Sequence, residues 1–581
     1  MNDIQSEVET VSAEERNRML RRLIELGIAL SSERDHNKLL ELILLETKRI
    51  ANADGGTLYL MSDDDRSLSF EILRNDTLNI AMGGTTGVDI TFPPLALYDD
   101  EETPNYTSVA TAVALNKMTV NIPNAYETET FDFSGTIKFD ESTGYRSMSF
   151  LTVPLLNKQD SVIGVLQLIN ARTEDNEVVP FSPEIQPIIE ALTSQAAVAL
   201  DNEMLLQGQR LLLDSFIELI AGAIDQKSAY TGGHCQRVPM LTEMLAKAAC
   251  QSDAPSFRGF DLDEDGWYEL HLAGWLHDCG KVTTPEYVVD KATKLETIYN
   301  RIHEIRMRFE VLRRDAEIEC LKAKLAGEGD PADLDAAFEA RCRELEEDFA
   351  FLAASNVGGE FLEEEAIERI RVIGKQPWTR HFDRSIGLSW EEAERLDKTE
   401  DYAAVKEERL LEDRYDHKTG EYDLGEIYNL AISRGTLTHE ERTKINDHIV
   451  VTIDMLNQLP FPKQLKNVPE YAGGHHEKMD GTGYPKGLTQ DQMSLPARMM
   501  AIADIFEALT SADRPYKKAK RLSECIRIMG FMRNDNHIDP ELFDLFLTSG
   551  VWREYAENVL VPEQIDEIDI NDYLSDARKA G

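Results

Sequence analysis

At 581 residues the chain is too long for one hydrophobic core, and its 42% apolar content is ordinary for a globular protein, so two or more folded domains are expected. A formal net charge of -45 excludes binding of long nucleic acids through the basic stripes such proteins display. No apolar run reaches the roughly eighteen residues of a membrane span, and Glu7, Glu9, Glu14 and Glu15 deny the N-terminus the basic start of a signal peptide.

In chain order, residues 1–20 read as a tail. From Arg16 to about Ala51 the spacing of Leu26, Leu39, Leu40, Ile43 and Leu44 predicts helix. Strands follow at Thr57–Met61 and Leu68–Ile72, and Phe150–Leu156 with Val162–Ile169 flanks the turn-like Asn157-Lys158-Gln159-Asp160, as in a hairpin. Ser182 can cap, and Pro183 can open, a helix carrying Ile185, Ile188, Ile189, Leu192 and Ala196. The fold class is thus multidomain α+β: an antiparallel sheet with flanking helices, then an all-α region.

Gly55-Gly56-Thr57-Leu58-Tyr59-Leu60, Lys138 to Ser147 and Val162 to Asn170 resemble the corresponding segments of a GAF domain, which would occupy 21–204. The resemblance implies a sensor, and two roles stay open: binding a small regulatory ligand, or only dimerising. No Pro-rich or Gly-rich linker follows. Leu205, Leu206, Leu211, Leu212 and Leu213 continue the apolar spacing, which predicts a parallel homodimer through helix 183–225; a helix buried within one chain is the competing reading.

The region 205–581 carries the chemistry. His277-Asp278, in Trp275-Leu276-His277-Asp278-Cys279-Gly280-Lys281, offers adjacent nitrogen and oxygen donors, yet a lone pair of this kind is more often a core histidine beside a helix cap. It has company. His234 lies upstream in Tyr230-Thr231-Gly232-Gly233-His234, and Asp504 downstream in Ala501-Ile502-Ala503-Asp504. This order resembles the HD metallophosphohydrolase superfamily. His475-His476-Glu477-Lys478-Met479-Asp480-Gly481-Thr482-Gly483-Tyr484-Pro485 resembles the defining loop of its HD-GYP subfamily, which hydrolyses cyclic di-GMP.

The resemblance implies that His234, His277, Asp278 and Asp504 hold one divalent metal, and that Asp278 bridges to a second held by His448, His475 and His476. Two metals suit phosphodiester hydrolysis, which needs a nucleophile at neutral pH and neutralisation of developing charge. The mixed donors suit iron or manganese, with zinc or nickel as competitors. Lys281 is expected on the same helical face as His277 and Asp278, stabilising transition-state charge, so Asp278 and Lys281 are the catalytic candidates. Gly483, Tyr484 and Pro485 would shape the substrate side, with Arg514 and Lys517 on substrate phosphates. Tyr230 stands where some relatives place a third-metal glutamate, so two metals are expected; a third would need Asp225.

A charged, helix-like stretch interrupts the pattern at about 297–430, with a helical hairpin at Leu312–Leu325 and Ala332–Phe351 around Gly327-Glu328-Gly329-Asp330-Pro331. The pattern resumes at Gly435-Thr436-Leu437-Thr438, which selects His448 over His303 as ligand. Cyclic di-GMP hydrolysis under GAF control is the expected function. A cyclic GMP-AMP phosphodiesterase and a catalytically silent cyclic-dinucleotide-binding adaptor are the alternatives. The six cysteines lack C-x-x-C spacing, which suits a reducing cytoplasm.

Overall fold

The computed structural model describes residues 24–30, 32–33, 35–99, 101–227, 233–359, 361–395, 399, 401–411, 413, 424–511 and 520–575. The chain divides into two compact units, Met1–Leu213 and Asp214–Gly581.

The first unit is a helix-flanked antiparallel sheet. The long N-terminal helix expected from the sequence is broken: helix covers 24–30, and Asp35 then accepts the Lys38 amide at 3.0 Å to start a fresh helix, His36–Ile50 (α1). Among the described strands, Ala53–Met61 (β1), Ser67–Asn75 (β2), Ile80–Gly83 (β3), Val120–Ile122 (β4), Phe150–Leu156 (β5) and Val162–Arg172 (β6) stand in the order β3-β2-β1-β6-β5-β4. The expected hairpin is present, with Val153 opposite Leu166. Both sheet faces are covered, and the central strands β5 and β6 are largely apolar on both sides. Leu151, Val153 and Leu155 pack with Leu40 and Leu44 of α1 and with Ile189, Leu192 and Ala196 of a long helix, Gln186–Lys227 (α4). Phe150 packs on the other face with Val109, Val113 and Phe133, near the helices Val109–Asn116 (α2) and Ser134–Thr143 (α3). α4 begins at Gln186 rather than Pro183; Ser182 accepts the Ile185 amide one turn earlier.

The second unit is largely helical, apart from a two-stranded ribbon, Pro377–Arg380 with Lys406–Arg409. Its main core joins Val238, Leu241 and Leu245 of helix His234–Cys250 (α5) to Met499, Ile502 and Phe506 of helix Leu495–Thr510, with Phe543, Phe546 and Trp552 behind them. Helix Glu264–Leu276 (α6) starts under an Asp263 cap. Within 297–430 the expected hairpin exists but is longer, Ile302–Ala326 (α7) and Pro331–Val357 (α8). It has its own core of Ile305, Phe309, Leu345, Leu352, Ile370 and Leu430.

Buried charge ties this stretch to the rest of the unit. Arg308 of α7 forks onto Glu426 at 2.7 and 2.8 Å. Glu426 opens the short helix Glu426–Leu430 (α9). Asn429 of α9 accepts from Lys291, whose ammonium also donates to both Glu441 oxygens at 2.7 and 2.8 Å. Glu441 closes a capping box with Thr438 at the start of helix His439–Gln458 (α10), which carries His448. Breaking any one of these pairs would leave an uncompensated buried charge, at a cost of about 3–5 kcal/mol. No helix among the described residues is long and apolar enough to cross a membrane.

Candidate metal centre

α6 ends at Leu276, and the chain does not continue it through Lys281 as the sequence suggested. A 3-10 turn, Cys279–Thr283, takes over. Its position is fixed from α10: a Cβ on Gly280 would lie 1.9 Å from the His448 carbonyl oxygen, and the Gly280 amide donates to Thr452 Oγ1 at 2.9 Å. Only glycine admits so close a backbone approach. Lys281 nevertheless reaches back, and its ammonium donates to Asp278 Oδ2 at 2.5 Å.

The fold brings all seven expected ligands together. Asp278, 2% exposed, turns its two oxygens toward two sets of histidines. Oδ2 lies 3.1 Å from His234 Nε2 and 3.2 Å from His277 Nε2, whereas Oδ1 lies 3.2 Å from His448 Nε2. Asp504 Oδ1 lies 3.4 Å from His234 Nε2 and 3.9 Å from His277 Nε2. His476 Nε2 and His448 Nε2 stand 3.2 Å apart. Among the described residues, three groups have ligand atoms within 4.8 Å of one another: His234, His277 and Asp504; His448, His475 and His476; and His277, Asp278 and His475.

The outer faces of the imidazoles are tied. His277 Nδ1 donates to the Gly274 carbonyl at 2.7 Å, His475 Nδ1 to the Ala472 carbonyl at 2.6 Å and His448 Nδ1 to the Ile445 carbonyl. Each acceptor lies three residues back, so the local helix geometry itself fixes the tautomer and leaves the Nε2 lone pair facing inward. His234 Nδ1 instead donates to Glu507 Oε2 at 2.5 Å, and Arg237 holds the other Glu507 oxygen at 2.7 Å. Such tethering is the pattern of metal-binding histidines. The residues also fit a cation from the inside: among the described residues, Asp278 Oδ1 and His475 Nε2 are buried without a hydrogen-bond partner, which is costly unless something else satisfies them.

Burial, then the neighbouring His476 and His277, hold the His475 imidazolium far out of reach, and burial pushes His476 down to about 4. Burial thus favours the neutral form of both, the form in which an imidazole can ligate a metal. Burial opposes ionisation of Asp278, but Lys281 and His277 outweigh it and hold the carboxyl well below its ordinary range.

The Gly483-Tyr484-Pro485 loop folds over the second set. The Tyr484 ring stacks on His476 with centroids 4.9 Å apart and planes at 22°, and burial with the Asp504 carboxylate pushes its phenol up to about 12. A Cβ on Gly483 would lie 2.3 Å from the Lys478 amide nitrogen. Glu477 accepts the amides of Lys486 and Leu488 at 2.7 and 2.9 Å and so fastens the loop's far end. Beside it opens a cleft of about 440 Å³, lined by His475, His476, Tyr484, Asp504, Lys478 and Lys520 among others. Arg514, Lys517 and Tyr230 lie outside the described residues. His303, the rejected ligand, is exposed on the first turn of α7.

Sequence reasoning gave no role to Glu507, Arg237, Glu477 or Thr452. Glu507 could have been found: it follows Asp504 by three positions on one helix and so shares its face.

Comparison with known families matches residues 35–200 to the GAF domain and residues 420–542 to the HD domain. The chain thus carries one segment that matches the GAF domain and, further on, one that matches the HD domain. The chain is 45% identical over 129 residues to the 3'3'-cGAMP-specific phosphodiesterase 1 of Vibrio cholerae, covering 22% of this chain and 29% of that one. It is 52% identical over 73 residues to a cyclic di-GMP phosphodiesterase of Pseudomonas aeruginosa, covering 13% and 17%. A probable cyclic di-GMP phosphodiesterase of Vibrio cholerae is 32% identical over 195 residues, covering 30% and 42%. The matches thus span less than half the length of each of these relatives.

Proposed function

We propose that this GAF–HD chain is a metal-dependent phosphodiesterase of the HD-GYP kind that hydrolyses cyclic di-GMP to linear pGpG, GMP or both, under the control of its GAF domain. The observation that carries this is the division of the Asp278 carboxylate between two histidine sets beside an open cleft. His234, His277, Asp278 and Asp504 would hold one divalent ion and His448, His475 and His476, with Asp278, the second. Five imidazoles with two carboxylates suit iron or manganese. Bound there, divalent ions would supply Lewis-acid polarisation of a phosphodiester and a nucleophile at neutral pH.

The chain's own residues do the rest. Lys281 sets a fixed positive charge beside Asp278, where charge develops on a phosphoryl group. Tyr484 closes one side of His476 and excludes water. Lys478 and Lys520 offer local cations to a substrate that the chain's net charge otherwise repels, and Arg514 and Lys517 are proposed to join them on the phosphates. The cleft lies within the range of pockets that bury a whole small ligand. A 3'3'-cGAMP preference is the second reading, favoured by the identity to the Vibrio cholerae enzyme of that name. Six free cysteines support a cytoplasmic setting.

Incubating metal-loaded protein with each cyclic dinucleotide and separating the products by chromatography tests this. Conversion of cyclic di-GMP is expected, faster than that of 3'3'-cGAMP. Turnover of neither would leave the site a binding module and overturn the enzyme reading.

We further read α4 as a homodimer seam. Leu205, Leu212, Phe216 and Leu219 are 54–69% exposed and recur at the three-and-four spacing of paired helices. Wild type is expected to sediment at twice 65.7 kDa. The double variant Leu212→Asp, Leu219→Asp is expected to sediment as the monomer, and an unchanged mass would refute the seam.

A further inference from the structure

Helix α5 begins at His234, and its start is chemically unusual. Its N-cap is Gly233, held at φ 85°, and no side chain of its own caps the first turn. A helix leaves its first amides without intrahelical partners, and a neighbouring residue must satisfy them when they are buried. Here the acceptor comes from the preceding helix. Asp225, in the last turn of α4, is buried, and its Oδ2 accepts the Gly233 amide at 3.2 Å and the Cys235 amide at 3.3 Å. These amides flank the residue whose imidazole faces Asp278 and Asp504, so whatever holds them sets where that imidazole points. A carboxylate at a helix N-terminus is also favoured by the helix dipole.

Two residues on, Lys227 ends α4 and turns the other way. Its ammonium donates to the Lys281 carbonyl at 3.2 Å and to the Val282 carbonyl. Those carbonyls belong to the 3-10 turn that carries Lys281 and follows Asp278. On its α10 side the turn is pinned by the Gly280 backbone and Thr452; on this side it is braced through Lys227. Asp225, Lys227, His234, Asp278 and Lys281 line one small pocket together with Glu286.

We propose that the last turn of α4 is a positioning clamp for the metal centre: Asp225 is a borrowed N-cap that aims His234, and Lys227 is a brace that fixes the Lys281 turn. Both are positioning residues, neither a ligand nor a group that meets substrate. Because both side chains leave one turn of one helix, any rotation of that turn moves His234 and Lys281 together. The inference rests on the metal-centre reading but not on the identity of the substrate.

The test uses the full-length, metal-free chain with Mn²⁺ as the probe, measured by calorimetry. Asp225→Ala is expected to weaken one Mn²⁺ site by about 10- to 100-fold, the usual effect of losing an outer partner of a metal-bound histidine. Asp225→Asn keeps an amide oxygen for the Gly233 and Cys235 amides and is expected to stay within about threefold of wild type on the same scale. If the Asn variant is impaired beyond tenfold, Asp225 acts as a ligand and the cap is refuted; this arm decides even if the Ala variant fails to fold.

Lys227→Met is expected to leave Mn²⁺ binding unchanged while amide exchange across residues 279–284, read by mass spectrometry, quickens about tenfold. With an active enzyme, kcat should fall about tenfold at constant KM, with Lys227→Arg restoring most of it. Unchanged exchange in Lys227→Met would overturn the brace. If wild type turns over no cyclic dinucleotide, the function proposed above fails, while the Mn²⁺ and exchange arms still decide the clamp.

Discussion

Replacing Asp278 with alanine is expected to strip the protein of both ions and lower turnover of a cyclic dinucleotide by at least about a thousandfold, equivalent to about 4 kcal/mol of transition-state stabilisation. The size follows from the division of labour within one carboxylate. Its Oδ2 serves the His234 and His277 side and its Oδ1 the His448 side, so one substitution removes an anionic donor from both sets. The neighbouring carboxylate, Asp504, faces His234 and His277, and the second set is made of imidazoles. Asp278→Asn is the sharper variant, because it keeps the volume but leaves one acceptor oxygen where two are used. It is expected to retain at most one ion per chain. Elemental analysis of the purified variants, with circular dichroism to show that they fold, checks both statements. Two ions per chain and near-normal hydrolysis in Asp278→Ala would end the bridging assignment.

The way this centre assembles explains what the sequence could and could not disclose. His277-Asp278 and His475-His476 are adjacent in the chain, and their motifs extend over enough neighbours to point to a shared metal-binding chemistry. The sheet was legible because its hairpin has a polar turn between two apolar runs. The α6 terminus was not legible. The spacing of His277, Asp278 and Lys281 is as consistent with a helical face as with a 3-10 turn, and only the close approach of Gly280 to α10 decides between them. That approach depends on residues far away in the chain. The outer partners were hidden for a related reason. Backbone carbonyls hold three of the five imidazoles, and a carbonyl leaves no mark in a sequence. Glu507 does leave one, since its spacing from Asp504 is regular, but a buried glutamate near a helix end reads as an ordinary solvated charge until its partners His234 and Arg237 are in place. The break before His36 has a local cause, the Asp35 cap, which a periodicity reading passes over when apolar residues continue on both sides.

Substitution of the two histidines that competed for the second set should separate them by orders of magnitude. His448 is 2% exposed on its side chain, with Nε2 at 3.2 Å from both Asp278 Oδ1 and His476 Nε2. Its Nδ1 is committed to the Ile445 carbonyl. His448→Ala therefore removes an inward donor and leaves a gap beside the shared carboxylate. Loss of one of two ions is expected, with hydrolysis reduced by about 100-fold or more, roughly 3 kcal/mol. His303 lies among charged side chains on the outer face of α7; its ring stacks on Tyr299 at 6.1 Å and its Nδ1 accepts from Arg306 at 2.6 Å. An exposed histidine of this kind costs at most about 0.5 kcal/mol when removed, so His303→Ala should keep both ions and hydrolyse within about twofold of wild type. The anchoring of α7 supports the contrast, because it runs through Arg308 and Glu426, one turn further on, and leaves His303 outside. Metal content and initial rates measured side by side on the two variants decide the matter. If His303→Ala loses metal and His448→Ala does not, the second ion is held from α7, and the three-histidine set assigned here must be rebuilt around that helix.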